Sequence, residues 1–183
     1  MKRIVIMVAL AVLLFSAAVQ AQAPAPKPGP EQKKLHVWNG DWTYEGEAMA
    51  SPLGPAEKFT GKATVKMILG GFCQEWRFEE KHPGNLLHGV QITAHDPVNK
   101  NYISNIFVSD GSIELGTMTV NGNVWESSFT LILGAKQYKL KGKDVLSEDM
   151  MSDTFKSEIS ADGKTWKPFW EVHFTKIVAS PKK

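Results

Sequence analysis

From Asp41 onward, apolar and polar residues alternate one for one. Trp42, Tyr44, Gly46 and Ala48 fall on one side of the alternation, and Thr43, Glu45 and Glu47 on the other. That is the period of a strand with one buried face. Further strands are predicted over Thr60–Ile68, Cys73–Lys81, Leu87–His95, Tyr102–Ser109, Ser112–Val120, Asn123–Leu133, Lys136–Lys143, Ser152–Ser160 and Thr165–Ile177. Between them lie turn formers: His82-Pro83-Gly84-Asn85, Asp96-Pro97-Val98-Asn99-Lys100, Asp110-Gly111, Asn121-Gly122 and Asp162-Gly163. The Asp-Gly and Asn-Gly pairs suit tight hairpins because their backbones accept positive φ. A loop with Pro52, Gly54 and Pro55 spans Ser51–Ala56. Ahead of the first strand, Glu31–Val37 can form one or two helical turns behind Pro30, with Leu35 and Trp38 available to pack inward and Gly40 as the stop.

Connections this short let chain neighbours pair antiparallel. A sheet of ten twisted strands curls, and closing it removes the edges that invite aggregation. The expected fold is all-β: an antiparallel up-and-down meander closing into a roughly ten-stranded barrel, with a short N-terminal helical turn. A two-sheet sandwich is the alternative.

The first 23 residues have a different pattern. Lys2 and Arg3 precede an uncharged apolar run, Ile4–Phe15, followed by Ser16, Ala17, Ala18 and then Ala21-Gln22-Ala23. This is the layout of a cleavable signal peptide, cut after Ala21 or Ala23. The expected product is periplasmic or secreted, with no stable membrane span after cleavage. A Pro-rich linker over 24–30, one domain over 31–178 and a tail over 179–183 would remain. Without Lys2 and Arg3, Lys plus Arg falls from 21 to 19, matching the 19 Asp plus Glu. A neutral chain lacks the concentrated basic footprint that nucleic acid requires. Cys73 is the single cysteine, so no internal disulfide forms, and a buried structural thiol is expected.

Several short runs are distinctive: Trp38-Asn39-Gly40-Asp41-Trp42, Gly70-Gly71-Phe72, His88-Gly89-Val90-Gln91-Ile92, Asp96-Pro97-Val98-Asn99-Lys100-Asn101-Tyr102, Ser109-Asp110-Gly111-Ser112 and Asp162-Gly163-Lys164-Thr165-Trp166. Through them, the region Trp38–Thr175 resembles an exported bacterial domain family of unknown function that is lipocalin-like, within the wider calycin group of ligand-binding barrels. The resemblance implies a calycin-type barrel in which Trp42, on the first strand, closes one end. In lipocalins an Arg from the last strand stacks on that Trp; the matching region here offers Lys176. Gly40 and Trp42 are therefore expected to be structural.

The sequence contains no catalytic constellation. No G-x-S-x-G elbow is present, and Ser127-Ser128 has no base marked beside it. The pairs Glu45/Glu47 and Glu79/Glu80 read as solvated faces or strand ends. Nor do His36, His82, His88, His95 and His173 form a metal-ligand spacing. His88 and His95 are seven apart, so a regular strand sends them to opposite faces. Haem held by His173 is a third reading, disfavoured because Trp170, Val172 and Phe174 take the opposite face. No cofactor is therefore expected. A small apolar or amphipathic ligand is the leading expectation, from aromatics at period-two positions. A filled barrel working through its outer surface stays open beside it. Candidate ligand contacts are Tyr44, Trp76, Arg77, Tyr102 and Tyr138. Arg77, the only arginine after Arg3, could fork a carboxylate, although alternation with Glu75 and Glu79 points it outward, opposite Trp76 and Phe78.

Overall fold

The computed structural model describes residues 26–178; the expected signal peptide and the C-terminal tail lie outside them. A short helix α1 (Pro30–Lys34) runs into a 3-10 turn (Leu35–Trp38). Ten strands follow: β1 (Gly40–Ala48), β2 (Glu57–Ile68), β3 (Cys73–His82), β4 (Asn85–Asp96), β5 (Asn101–Val108), β6 (Ile113–Asn121), β7 (Val124–Leu133), β8 (Lys136–Leu146), β9 (Ser152–Ser160) and β10 (Lys167–Lys176). Each pairs antiparallel with its chain neighbours, and β1 pairs with β10 from Trp42↔Lys176 to Ala48↔Trp170. The sheet is a closed barrel, and the sandwich alternative is not adopted.

Where strand boundaries differ from the periodicity, local chemistry accounts for it. β8 continues past Lys143 because Leu146 is in phase with Leu140 and is 1% exposed; the Asn123 side chain also donates to its carbonyl. β10 begins at Lys167 instead of Thr165 because the Asp162 carboxylate accepts the backbone N–H groups of Lys164 and Thr165, holding them in the turn. A register shift between Pro168 and Glu171 is a bulge, and it lets Phe169 join Trp170 inside, their rings stacked at 4.1 Å.

One end of the barrel is sealed by α1 and the 3-10 turn. A helix this short has no stability of its own and leaves carbonyls unpaired at its C-terminal end. Donors from four strands reach those carbonyls. Trp42 Nε1 donates to Trp38 O at 2.7 Å, Gln74 Nε2 to Leu35 O, Tyr102 Oη to Glu31 O at 3.0 Å and Lys176 Nζ to Val37 O at 3.0 Å. Lys176 Nζ also lies 5.1 Å from the centroid of the Trp42 ring. It thus fills the place that the lipocalin resemblance gives to an Arg, as a point cation over the ring. Gly40 makes room: its φ is +126°, and a Cβ there would come within 3.0 Å of Lys176 Cε. Trp38 then packs against Trp42, Trp76 and Trp125 with centroids 5.9, 5.4 and 6.2 Å apart.

Trp42 is fully buried. Trp42→Ala is expected to cost about 3–5 kcal/mol, and Trp42→Phe, which loses chiefly the bond to Trp38, about 1–3 kcal/mol. Chemical denaturation of the two variants measures both, and a wild-type midpoint for the alanine variant would refute the sealing role.

Candidate ligand-binding site

The core aromatics do not fill the lumen. A cavity of about 490 Å³ lies inside the barrel, within the size range of small-molecule sites. Leu35 and Trp38 form its floor, and Met49, Ser51, Leu53 and Pro55 border it at the opposite end.

The cavity stays open because several rings lie flat along its wall. Tyr44 faces Gly61 across β1–β2, and Phe78 faces Gly89 across β3–β4. A Cβ at Gly61 would lie 2.2 Å from Tyr44 Cζ, and one at Gly89 would lie 1.9 Å from Phe78 Cζ. Gly46–Phe59 and Gly116–Phe129 repeat the arrangement. Each ring occupies the space a neighbour's side chain would have taken, so it covers the wall instead of projecting inward.

The wall is apolar with a few polar groups, and the ionisable ones are mostly acidic. At one side, His82 sits between Glu57 and Glu80, with Nδ1 2.8 Å from Glu57 and Nε2 3.4 Å from Glu80. Hydrogen bonds and charge from Glu80 and then Glu57 hold the imidazole above its usual pKa, against the opposing effect of burial. Tyr44 donates to Glu80 at 3.1 Å, and burial together with the Glu80 charge keeps that phenol protonated. Nearer the floor, Asp144 borders the cavity and lies against Asp153. Burial raises the pKa of both carboxyls, and neither oxygen of Asp153 has a hydrogen-bond partner among the described residues. On β6, Glu114 is 7% exposed and lines the cavity between Ile106 and Leu131 of the flanking strands. Burial, and secondarily the Glu80 charge, push its pKa up to about 7.

Of the residues expected to contact a ligand, Tyr44 and Trp76 line the cavity. The others do not. Arg77 is on the outer face, donating to Glu75 at 2.8 Å with its side chain 63% exposed. Tyr102 is spent at the sealed end, bonded to Glu31 and packed on Trp125. Tyr138 is buried in a cluster with Leu131, Leu140 and Phe169 and does not border the cavity. His173 lies on the outside beside Glu171 and Thr154, with its side chain 55% exposed. Cys73 is half-buried instead of buried. Glu80, read from sequence as part of a solvated strand end, faces inward. The signal for it was present: Glu80 is in phase with Gln74, Trp76 and Phe78.

The family profile described as "Protein of unknown function (DUF1579)" matches residues 27–176. The chain belongs to the DUF1579 family. Comparison with curated protein sequences finds no match. Among solved structures, this DUF1579 chain is similar to the crystal structure of Rv2717c from M. tuberculosis, at 12% identity and a TM-score of 0.59, covering 82% of this chain and 99% of that one. It is also similar to the S-type phycobiliprotein lyase CPES from Guillardia theta, at 8% identity and a TM-score of 0.54, covering 83% and 94%. At these identities the likeness is one of fold, the lipocalin-like barrel.

The acidity of the wall has a consequence for stability. With its folded pKa near 7 against 4.5 for the free group, Glu114 favours the folded state below pH 4.5, and that contribution is lost as pH rises through 7. At pH 8 the ionised group costs on the order of 3 kcal/mol at most. Glu114→Gln is therefore expected to raise the denaturation midpoint at pH 8 and to give no gain at pH 4. An equal effect at both pH values would show that the carboxyl is not buried as described.

Proposed function

We propose that this protein is an exported binding module that carries a small apolar or amphipathic ligand in the barrel lumen. The observation that carries the reading is the cavity of about 490 Å³, floored by Trp38 and walled by Tyr44, Trp76 and Phe78. A barrel that used only its outer surface would have no reason to keep rings flat against glycines and leave that volume empty, since packed interiors are more stable than hollow ones. Export rests on the charged start, apolar run and Ala-Gln-Ala of the first 23 residues.

Uptake has a direct optical readout, because Trp38 and Trp76 border the cavity. A neutral apolar probe such as decanol is expected to shift their emission with a saturating curve. Ser127, inward on β7 and lining the same space, gives a blocking variant. Ser127→Phe is expected to weaken uptake by about tenfold or more, since its ring takes volume the probe needs. Titration of both proteins, each verified as folded by circular dichroism, makes the comparison. Equal uptake by the two, or none by wild type, would defeat the lumen reading. For export, the mature protein recovered from cells should start at Gln22 or Pro24, as read by intact mass.

A further inference from the structure

We infer that the ligand of this cavity presents a cationic, hydrogen-bond-donating group of the primary-amine class on an apolar body, and that Glu114 receives it. The inference rests on the lumen reading above and names the ligand class of that site.

Most of the charges that border the lumen already have neighbours within the protein. Glu57 and Glu80 are engaged by His82, and Glu80 also by Tyr44. Asp110, at the open end, accepts the backbone N–H of Ser112. Asp144 lies against a second buried carboxyl, Asp153, whose oxygens meet no hydrogen-bond donor among the described residues. Lys141 borders the cavity, but its ammonium sits 3.9 Å from the centroid of the Trp166 ring. Glu114 stands by itself: no hydrogen bond or ion pair reaches its carboxyl from any described residue and, unlike Asp144, it has no second carboxyl against it, although it is more than nine-tenths buried. A buried carboxylate without donors is costly, and folded proteins ordinarily supply them. Here the apolar neighbours Ile106 and Leu131 offer none, and the nearby Glu80 repels rather than attracts. The missing partner must bring N–H donors and, to offset two neighbouring carboxylates, a positive charge.

A carboxylate ligand is opposed by the same geometry. Arg77, the side chain best suited to one, is outside the barrel, and the Tyr44 hydroxyl is committed to Glu80. A metal ion is a poor fit too, since no cluster of three or more His, Cys, Asp or Glu among the described residues is placed to hold one. Directly beside the acidic groups, Phe78, Phe129 and Trp76 supply an apolar wall for the rest of the molecule, and their faces favour cations as well.

Three probes of equal chain length separate the possibilities: decylamine, decanol and decanoate, titrated at pH 8 against wild type and Glu114→Gln by tryptophan emission, with thermal melts confirming that both are folded. Decylamine should bind wild type at least about tenfold more tightly than decanol, the scale of a charge-assisted hydrogen bond, and decanoate should bind more weakly than decanol. In Glu114→Gln the preference for amine over alcohol should disappear. Wild type that binds the amine no better than the alcohol, or that prefers decanoate, overturns the inference while leaving the lumen reading intact. So does a Glu114→Gln protein that keeps the amine preference. If decanol fails to bind wild type, the lumen reading fails, and this inference falls with it.

Discussion

The barrel has a floor because four strands send hydrogen-bond donors to one short peptide. Trp42, Gln74, Tyr102 and Lys176 come from β1, β3, β5 and β10 and converge on carbonyls of residues 31–38. That segment is too short to hold helical form unaided. Its carbonyls would be stranded above an apolar interior, where an unmet acceptor costs about 1–3 kcal/mol. The donors satisfy them, and in doing so they position Trp38 over the lumen, in contact with three other indoles. Without this arrangement the closed sheet would be a tube open at both ends.

The interior combines two opposing choices. Glycines opposite aromatic rings line the wall with apolar surface while keeping the centre empty. Into that apolar space the strands place carboxyls: Glu80 from β3, Glu114 from β6 and Asp144 from β8. Glu80 is hydrogen-bonded within the protein, Asp144 lies against a second acid, Asp153, and Glu114 has no partner among the described residues. Buried acids with raised pKa values weaken a fold at neutral pH, and sites that bind ligands commonly give up stability in this way. Burial of the same groups outside any cavity would have been exceptional.

Period two and turn chemistry made the strands legible, and with them the closed meander and the burial of Trp42. They also put Arg77 outside, as its alternation with Glu75 and Glu79 implies. The inward acids were harder to read. On β6 both faces carry apolar residues, with Leu115 outward and 42% exposed and Gly116 and Met118 inward, so alternation does not declare which face Glu114 joins. On β8, Asp144 is in phase with Leu140 and Leu146, yet a carboxyl in such a series runs against the usual distribution of charge. Glu80 is inward by phase, although acids at strand ends usually face water. Tyr102 and Tyr138 point inward as their strands suggest, but height along the barrel decides whether an inward side chain meets the floor, the cavity or the packed cluster near the mouth. Strand period carries no information about that height.

Nine of the ten strand pairings are hairpins between chain neighbours, and only β1 with β10 joins distant residues, as at Trp42↔Lys176. Local hairpins form quickly, whereas a contact between the two ends of a domain must first overcome the entropy of closing the whole chain into a loop. The seam is thus the step expected to govern the folding rate. Lys176 reaches the Val37 carbonyl and the Trp42 ring only when the seam is zipped, so the floor is completed in the same event. Wall and floor are thus expected to close in one step, and opening that single seam would undo both together.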